Sequence, residues 1–300
     1  MPMPKFEGVY PILYAFFDAR GCLDREAMRR QALACVRGGA HGIAALGLAT
    51  EVSKLTPTER HAVMEWLLAD VAGQVPVAIT VFGETPEIQA SFVKASADLG
   101  AAWCILQPPP QRPMSEAELL RFFGKVADAS PIPIAIQNAP QFIGVGLGDE
   151  SLLALRRNHP NFVLMKGECS ALEIARTHEA LRGEVRIFNG RAGLEFPDVL
   201  RAGCVGMVPA PECFERQVEL YEAWQRGDEA EADRIYRDIL PLIVFMMQSV
   251  DQFLCYGKRI VARRLGLGEV HDRQPAQLPT PLGLACMERY ARDLKPFALD

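Results

Sequence analysis

The sequence predicts an α/β fold, a (β/α)8 TIM barrel with a C-terminal helical extension, and three observations carry that prediction. Short apolar runs alternate with longer amphipathic ones, eight times in about 210 residues. Most of the apolar runs are continuous and lack period-two alternation, which is how strands buried on both faces of a parallel sheet read. After roughly residue 212 the strand pattern stops and only helical patterns follow. Eight βα units suggest a closed barrel. The rival, an open doubly wound sheet, usually carries a glycine fingerprint after its first strand, and Phe16-Phe17-Asp18-Ala19-Arg20 has none.

The expected strands are Val9–Phe17, Gly42–Gly47, Pro76–Phe82, Trp103–Gln107, Pro133–Asn138, Phe162–Lys166, Arg186–Asn189 and Cys204–Pro209. Between them lie helix signals. Asp24 caps a stretch running to Val36, and Thr56-Pro57-Thr58-Glu59 combines an N-cap, a proline at the first helical position and an acidic first turn. Thr85-Pro86 repeats the device; Ser115-Glu116 and Asp149-Glu150 open two more helices, and Gly38, Gly73 and Gly100 close segments as C-caps do. Helices are then expected over Arg216–Arg226, Asp228–Met247, Asp251–Leu265 and Pro281–Leu294, with Gln274–Pro279 as a loop. The division this implies is a catalytic barrel over 1–228 and a helical domain over 229–300.

Composition bounds the function. The 300 residues are 49% hydrophobic and 23% charged, with net charge −5, which excludes disorder as the dominant state. There is no basic excess, so nucleic acid is not an expected partner. The Lys258-Arg259 and Arg263-Arg264 cluster has helical spacing and reads as a solvated helix face. Met1–Lys5 carries no apolar targeting segment, and the apolar stretch at Leu242–Met247 is too short for a membrane span. Eight cysteines without a C-x-x-C pair read as reduced, buried thiols. Together these point to a cytoplasmic protein with no membrane partner.

In a barrel of this kind the active site lies at the C-terminal ends of the strands. Of seven lysines, only Lys166 ends a run of pure core residues, Phe162-Val163-Leu164-Met165. Desolvation lowers a lysine pKa, and a partly neutral amine attacks ketones to form a Schiff base. The competing reading is a lysine that snorkels to the rim or pairs with Glu168. Gly144-Val145-Gly146-Leu147-Gly148 lacks phosphate-loop spacing and reads as a flexible loop. The five histidines show no ligand spacing and none ends a strand, so neither a metal site nor a serine triad is expected. No metal or organic cofactor is implied.

With the barrel, the strand-6 lysine and the helical tail together, the sequence resembles the dihydrodipicolinate synthase/N-acetylneuraminate lyase superfamily of Schiff-base aldolases and dehydratases. The resemblance runs from Gly8-Val9-Tyr10-Pro11 to about Leu267. Gly47-Leu48-Ala49-Thr50-Glu51 falls where the family has its Gly-Thr-Thr-Gly-Glu carboxylate-binding turn, and Lys166 falls on the Schiff-base lysine. Gly190 and Val208 fall on positions lining the pyruvate pocket. The departures are informative. The family's Tyr-Asn-x-Pro reads Gln137-Asn138-Ala139-Pro140, its relay threonines read Leu48 and Ala49, and its second tyrosine reads Pro110. The arginine that would hold aspartate semialdehyde reads Phe142. Glutamine has no titratable proton, so Gln137 cannot take one from a substrate hydroxyl as a phenol does in aldol cleavage.

Gln137-Asn138-Ala139-Pro140 followed by Lys166-Gly167-Glu168 is similar to the 2-keto-3-deoxyarabonate dehydratase branch. That resemblance implies dehydration of a 2-keto-3-deoxy sugar acid through a lysine-bound imine and enamine. Alternatives are a pyruvate-dependent aldolase or synthase-like condensation, or a catalytically silent barrel that binds a 2-oxo acid. In the dehydratase reading the substrate carboxylate rests on Gly47–Thr50, held by backbone N–H groups and the Thr50 hydroxyl. Gln137 orients the carbinolamine or a water. Side chains alternate along a strand, so Lys166 and Glu168 share a face, and Glu168 is either a proton shuttle or a salt-bridge partner. Arg191, after Gly190, meets a distal anionic group or points to water. The resemblance also implies a homotetramer, a dimer of dimers, with the Pro108–Pro113 loop at a contact.

Overall fold

The computed structural model describes residues 6–110 and 114–298. Eight parallel strands form the sheet: β1 (Gly8–Val9), β2 (Ile43–Ala45), β3 (Val77–Val81), β4 (Trp103–Leu106), β5 (Ile134–Asn138), β6 (Phe162–Gly167), β7 (Arg186–Asn189) and β8 (Gly206–Met207). Each strand from β2 to β8 pairs with the next in sequence, and β8 pairs with β1. The ring closes just beyond β1, where Ile12 bridges Ala44 of β2 and the Leu13 amide donates to the Ala44 carbonyl at 2.9 Å. The first expected strand, Val9–Phe17, is therefore a short ladder followed by extended chain. Pro11 lacks an amide donor, and Ile12 turns its own to the Pro209 carbonyl at 2.6 Å. The last expected strand, Cys204–Pro209, shortens likewise to two ladder residues.

Strands β2 to β6 are buried almost throughout, as continuous apolar runs require. Inside the barrel Trp103 stacks on Phe188 at 5.5 Å, and Tyr10 meets both edge-on, at 5.7 and 5.2 Å. Such offset and edge contacts are the favoured aromatic geometries. Burial raises the Tyr10 phenol to about 12, so it serves as a neutral filler.

The helices follow their caps. Helices α1 (Arg25–Arg37), α2 (Pro57–Val71), α3 (Pro86–Asp98) and α4 (Glu116–Ala129) start behind Asp24, Thr56, Thr85 and Ser115, whose side chains each accept a backbone N–H of the first turn. A single turn, α5 (Pro140–Ile143), and α6 (Asp149–Asn158) lie between β5 and β6. Two further helices complete the barrel wall: α7 (Ala171–Ala180), behind a Ser170/Glu173 capping box, and α8 (Phe196–Arg201). The tail contains α9 (Phe214–Gln225), α10 (Glu229–Met246), α11 (Val250–Gln252), a π turn at Phe253–Gly257, α12 (Lys258–Arg264) and α13 (Pro281–Tyr290).

The expected boundary at 228/229 falls in the turn between α9 and α10. Ala232 and Ile235 of α10 and Val261 and Leu265 of α12 pack into the same core as the strands. The basic cluster on α12 is a solvated face only at Arg263. Lys258 is 1% exposed and Arg264 5% exposed. Lys258 pairs with Glu51, and Arg264 pairs with Glu215 at 2.6 Å and lies 3.7 Å over the Phe297 ring. All eight cysteines are free; Cys22 is exposed, Cys169 and Cys286 are half-buried, and the other five are buried. Among the described residues no single helix is long and apolar enough to cross a membrane. Met1–Lys5 and residues 111–113 of the expected contact loop lie outside the described residues.

Candidate active site

The C-terminal ends of β4, β5 and β6 bring polar side chains into one buried chain of contacts. Lys166, 4% exposed, lies opposite Gln137 across the β5–β6 ladder. Its Nζ is 2.7 Å from Glu168 Oε1, so the two residues do share a face as strand alternation requires. The same carboxylate oxygen accepts from Gln137 Nε2 at 2.6 Å, and Gln137 Oε1 accepts from Gln107 Nε2 at 2.7 Å. The Gln107 carbonyl in turn accepts from Gln89 Nε2 of α3 at 2.9 Å. A carboxylate only accepts, so it orients the Gln137 amide, and that amide orients Gln107. The carboxylate that sits beside the lysine is thus aimed by two glutamines from adjacent strands.

Gly190, just after β7, makes room for this pair. A Cβ there would lie 2.7 Å from both Lys166 Cε and Glu168 Cγ. Any other residue would push the amine and carboxylate apart.

The turn after β2 is strained and open-handed. Leu46 (φ 65) and Glu51 (φ 53) both adopt the left-handed conformation that side-chain-bearing residues avoid. Ala192 (φ 54) does so after β7, whereas the other two such residues, Ala72 and Arg182, lie at helix ends. Thr50 holds the turn: its hydroxyl donates to the Leu13 carbonyl at 2.6 Å and accepts from the Leu46 amide at 2.9 Å. Its one proton is therefore spent on the backbone, which corrects the expectation that it donates to a ligand. Among the described residues, the Ala49 and Thr50 amides have no hydrogen-bond partner. Gly47 packs directly on Ile12, where a Cβ would lie 2.4 Å from Cδ1.

A pocket with a cavity volume of about 60 Å³ and an open mouth rises from Lys166 and Glu168. Ala49, Gly190 and Val208 line it, while Gly47, Thr50 and Gln137 are not among its lining residues. Arg191 is not among its lining residues. Its guanidinium pairs with Glu195 four residues on and its side chain is 21% exposed. Leu48 and Phe142 form one side of the mouth, and Met247, Val250 and Phe253 of the tail form the other. Pro110 lines a neighbouring groove with Lys54 and Asp251, and Leu48, Phe142 and Val250 border both groove and pocket.

Two ion clusters brace the turn and the tail. Lys258 and Lys54 both hold Glu51, the former fully buried. Tyr14 donates a hydrogen bond to Glu212, both buried against Gly257, where a Cβ would strike the phenol oxygen at 2.1 Å. Burial raises the Glu212 carboxyl to about 7, against the opposing effect of the Tyr14 hydrogen bond, and pushes the Tyr14 phenol well above its ordinary value. Among the described residues no cluster of three histidine, cysteine, aspartate or glutamate side chains could hold a metal.

Sequence reasoning assigned no role to Gln107, although it closes an apolar strand run as Lys166 does. The tail residues of the mouth, and the Tyr14–Glu212 pair, carry no local signal, because their partners are remote in sequence.

The Dihydrodipicolinate synthetase family model matches residues 5–278. A 4-hydroxy-tetrahydrodipicolinate synthase of Methanoculleus marisnigri is 29% identical over 244 residues, 79% of this chain and 83% of the relative. An L-2-keto-3-deoxyarabonate dehydratase of Azospirillum brasilense is 26% identical over 251 residues, 80% of this chain and 79% of the relative. The crystal structure of YagE, a prophage protein of the dihydrodipicolinic acid synthase family from Escherichia coli K12 in complex with pyruvate, superposes with a TM-score of 0.89 at 23% identity, covering 98% of this chain and 100% of that one. The chain belongs to the dihydrodipicolinate synthetase family, and it is an enzyme of the lyase type that this family comprises.

Proposed function

We propose that this family member is a class I lyase in which Lys166 carries a 2-oxo acid as an imine, and that the reaction is loss of water across C3 and C4. The observation that supports this most is the buried Lys166–Glu168 pair at the floor of the pocket, with the Gln137 carboxamide, not a phenol, beside it. The substrate carboxylate rests on the Ala49 and Thr50 amides, donors preorganised for charge. Glu168 takes the ammonium proton, and the Lys166 amine attacks the C2 ketone; the carbinolamine loses water to give the iminium. The iminium acidifies C3. Glu168, freed of its first proton to the departing water, takes a C3 proton to give the enamine, then returns it to the C4 hydroxyl as the C4–O bond breaks. Water hydrolyses the product imine and frees Lys166.

Gln137 positions Glu168 but moves no proton. That separates this site from the tyrosine-dependent aldol cleavage of the family, and the resemblance implies a 2-keto-3-deoxy sugar acid as substrate. A pyruvate-dependent aldolase is the second reading, because Glu168 is itself titratable and would serve as base for a C4 hydroxyl. Synthase-like condensation fits less well, with Phe142 at the mouth and Pro110 outside the pocket. A silent binding barrel would not need a desolvated amine. No organic cofactor or metal enters this scheme, and we further propose a cytoplasmic homotetramer, a dimer of dimers.

The test is incubation with pyruvate and sodium borohydride followed by peptide mass mapping. A reduced adduct on Lys166 is expected; an adduct on another lysine, or none with pyruvate or with any longer 2-oxo acid, overturns the imine reading. A screen of 2-keto-3-deoxy acids then separates the two chemistries, since dehydration removes one water and retro-aldol cleavage releases pyruvate. Turnover of any of them sinks the silent barrel.

A further inference from the structure

The walls above the lysine are apolar, and this bears on what the substrate carries beyond C4. Lys166 and Glu168 occupy the floor, and the Ala49 and Thr50 amides are assigned to the carboxylate. Above them the pocket is bounded by Leu48, Phe142, Met247, Val250 and Phe253. Among the described residues the one polar side chain in that upper wall is the exposed Ser249, whose oxygen accepts the Gln252 amide at 3.0 Å as a helix cap. The aromatic side chain of Phe142 is left 39% exposed at the mouth. Phe253 stands on a π turn and rests against Tyr14 at 5.5 Å, which fixes its ring in the wall.

A polyhydroxylated tail entering here would meet five apolar side chains and one serine, and hydroxyl groups that lose water without gaining a partner are rejected. An apolar tail gives up nothing and covers two aromatic rings and three aliphatic chains. We infer that the substrate is a 2-oxo acid whose substituent beyond C4 is a hydrocarbon or aryl group, not a sugar chain. The inference rests on the Lys166 imine reading and replaces the sugar-acid tail that the resemblance implies. Elimination from such a 4-hydroxy-2-oxo acid balances as before: the C3–H and C4–O bonds break, the C3–C4 double bond forms, and water leaves.

The experiment compares three acids by borohydride trapping on the whole protein: pyruvate, 2-oxo-4-phenylbutanoate and 2-keto-3-deoxygluconate. The readout is the concentration giving half-maximal adduct on Lys166. The phenyl acid is expected to need at least about tenfold less than pyruvate, and the sugar acid no less than pyruvate. In Phe142→Ala, a change at a partly exposed position, the ratio between the phenyl acid and pyruvate is expected to collapse towards one. Trapping of pyruvate without any preference for the phenyl acid overturns the inference and leaves the imine reading standing. Tighter trapping of the sugar acid also overturns it, and shows that the tail runs past Phe142 into the groove of Lys54 and Asp251. Failure of all three acids to form an adduct overturns the imine reading and the inference with it.

Discussion

The interior of the barrel and its C-terminal rim are built by the same strands to opposite specifications. Strand β4 begins with Trp103, packed among Phe6, Tyr10 and Phe188, and is followed at once by Gln107, whose amide reaches Gln137. Strand β6 begins with Phe162 in the core and ends with Lys166 bound to Glu168. Four residues of strand, roughly 13 Å, separate a region that contributes cohesion from one that holds a buried ion pair and three linked carboxamides. Burying ions adds little to stability even when they are paired. The rim is therefore tolerated because the interior beneath it supplies the folding energy.

The largest effect that would test this division is loss of the amine. Lys166→Ala is expected to abolish the borohydride adduct and lower turnover by on the order of 10⁴-fold or more, while circular dichroism shows the barrel intact. Next comes Glu168→Gln, expected to cost about 10²–10⁴-fold in turnover as a lost general acid–base; unaltered kinetics would reduce Glu168 to a structural partner. Trp103→Ala works from the other side. It is expected to cost about 3–5 kcal/mol in urea unfolding, with adduct formation per folded molecule unchanged. A loss of adduct without a loss of stability would break the comparison.

A smaller effect concerns Glu212 below the pocket. Its folded pKa of about 7 lies above the ordinary 4.5, so the folded state holds the proton more tightly. Its contribution is full below pH 4.5, declines as pH rises, and is gone above about 7; one unit is worth about 1.4 kcal/mol, giving about 3 kcal/mol across the window. The difference in unfolding free energy between the natural chain and Glu212→Gln, measured from pH 4 to 8, should trace that decline; a flat difference removes the buried carboxyl from the account. Smallest is Gln107→Ala, expected to lower turnover about fivefold to tenfold through one lost aiming hydrogen bond of about 1 kcal/mol, with the substrate concentration for half-maximal rate little moved.

The barrel was legible because continuous apolar runs and helix caps are local signals, as the Thr56 and Ser115 capping boxes illustrate. Helix α8 was not, since six residues carry no periodicity; α7 could have been found from the Ser170/Glu173 spacing. The grouping of Lys166, Glu168 and Gly190 follows from strand alternation and strand order, both readable in advance. Thr50 was misassigned because a hydroxyl serves backbone and ligand equally well, and only the approach of the Leu13 carbonyl decides between them. The pairing of Arg191 with Glu195, four residues on, was readable from spacing but not read. Lys258 and Arg264 looked solvated because their partners are 207 and 49 residues away.

The tie between Lys258 and Glu51 bears on timing at the ribosome. Glu51 is synthesised early, and its deepest counter-ion emerges 207 residues later. At typical elongation rates that interval is roughly 10–40 s. Until it ends, the strained turn after β2 has only Lys54 to neutralise it, and the strands that surround it are still arriving. The turn after β2 therefore gains its full set of ion pairs only once the tail has been made.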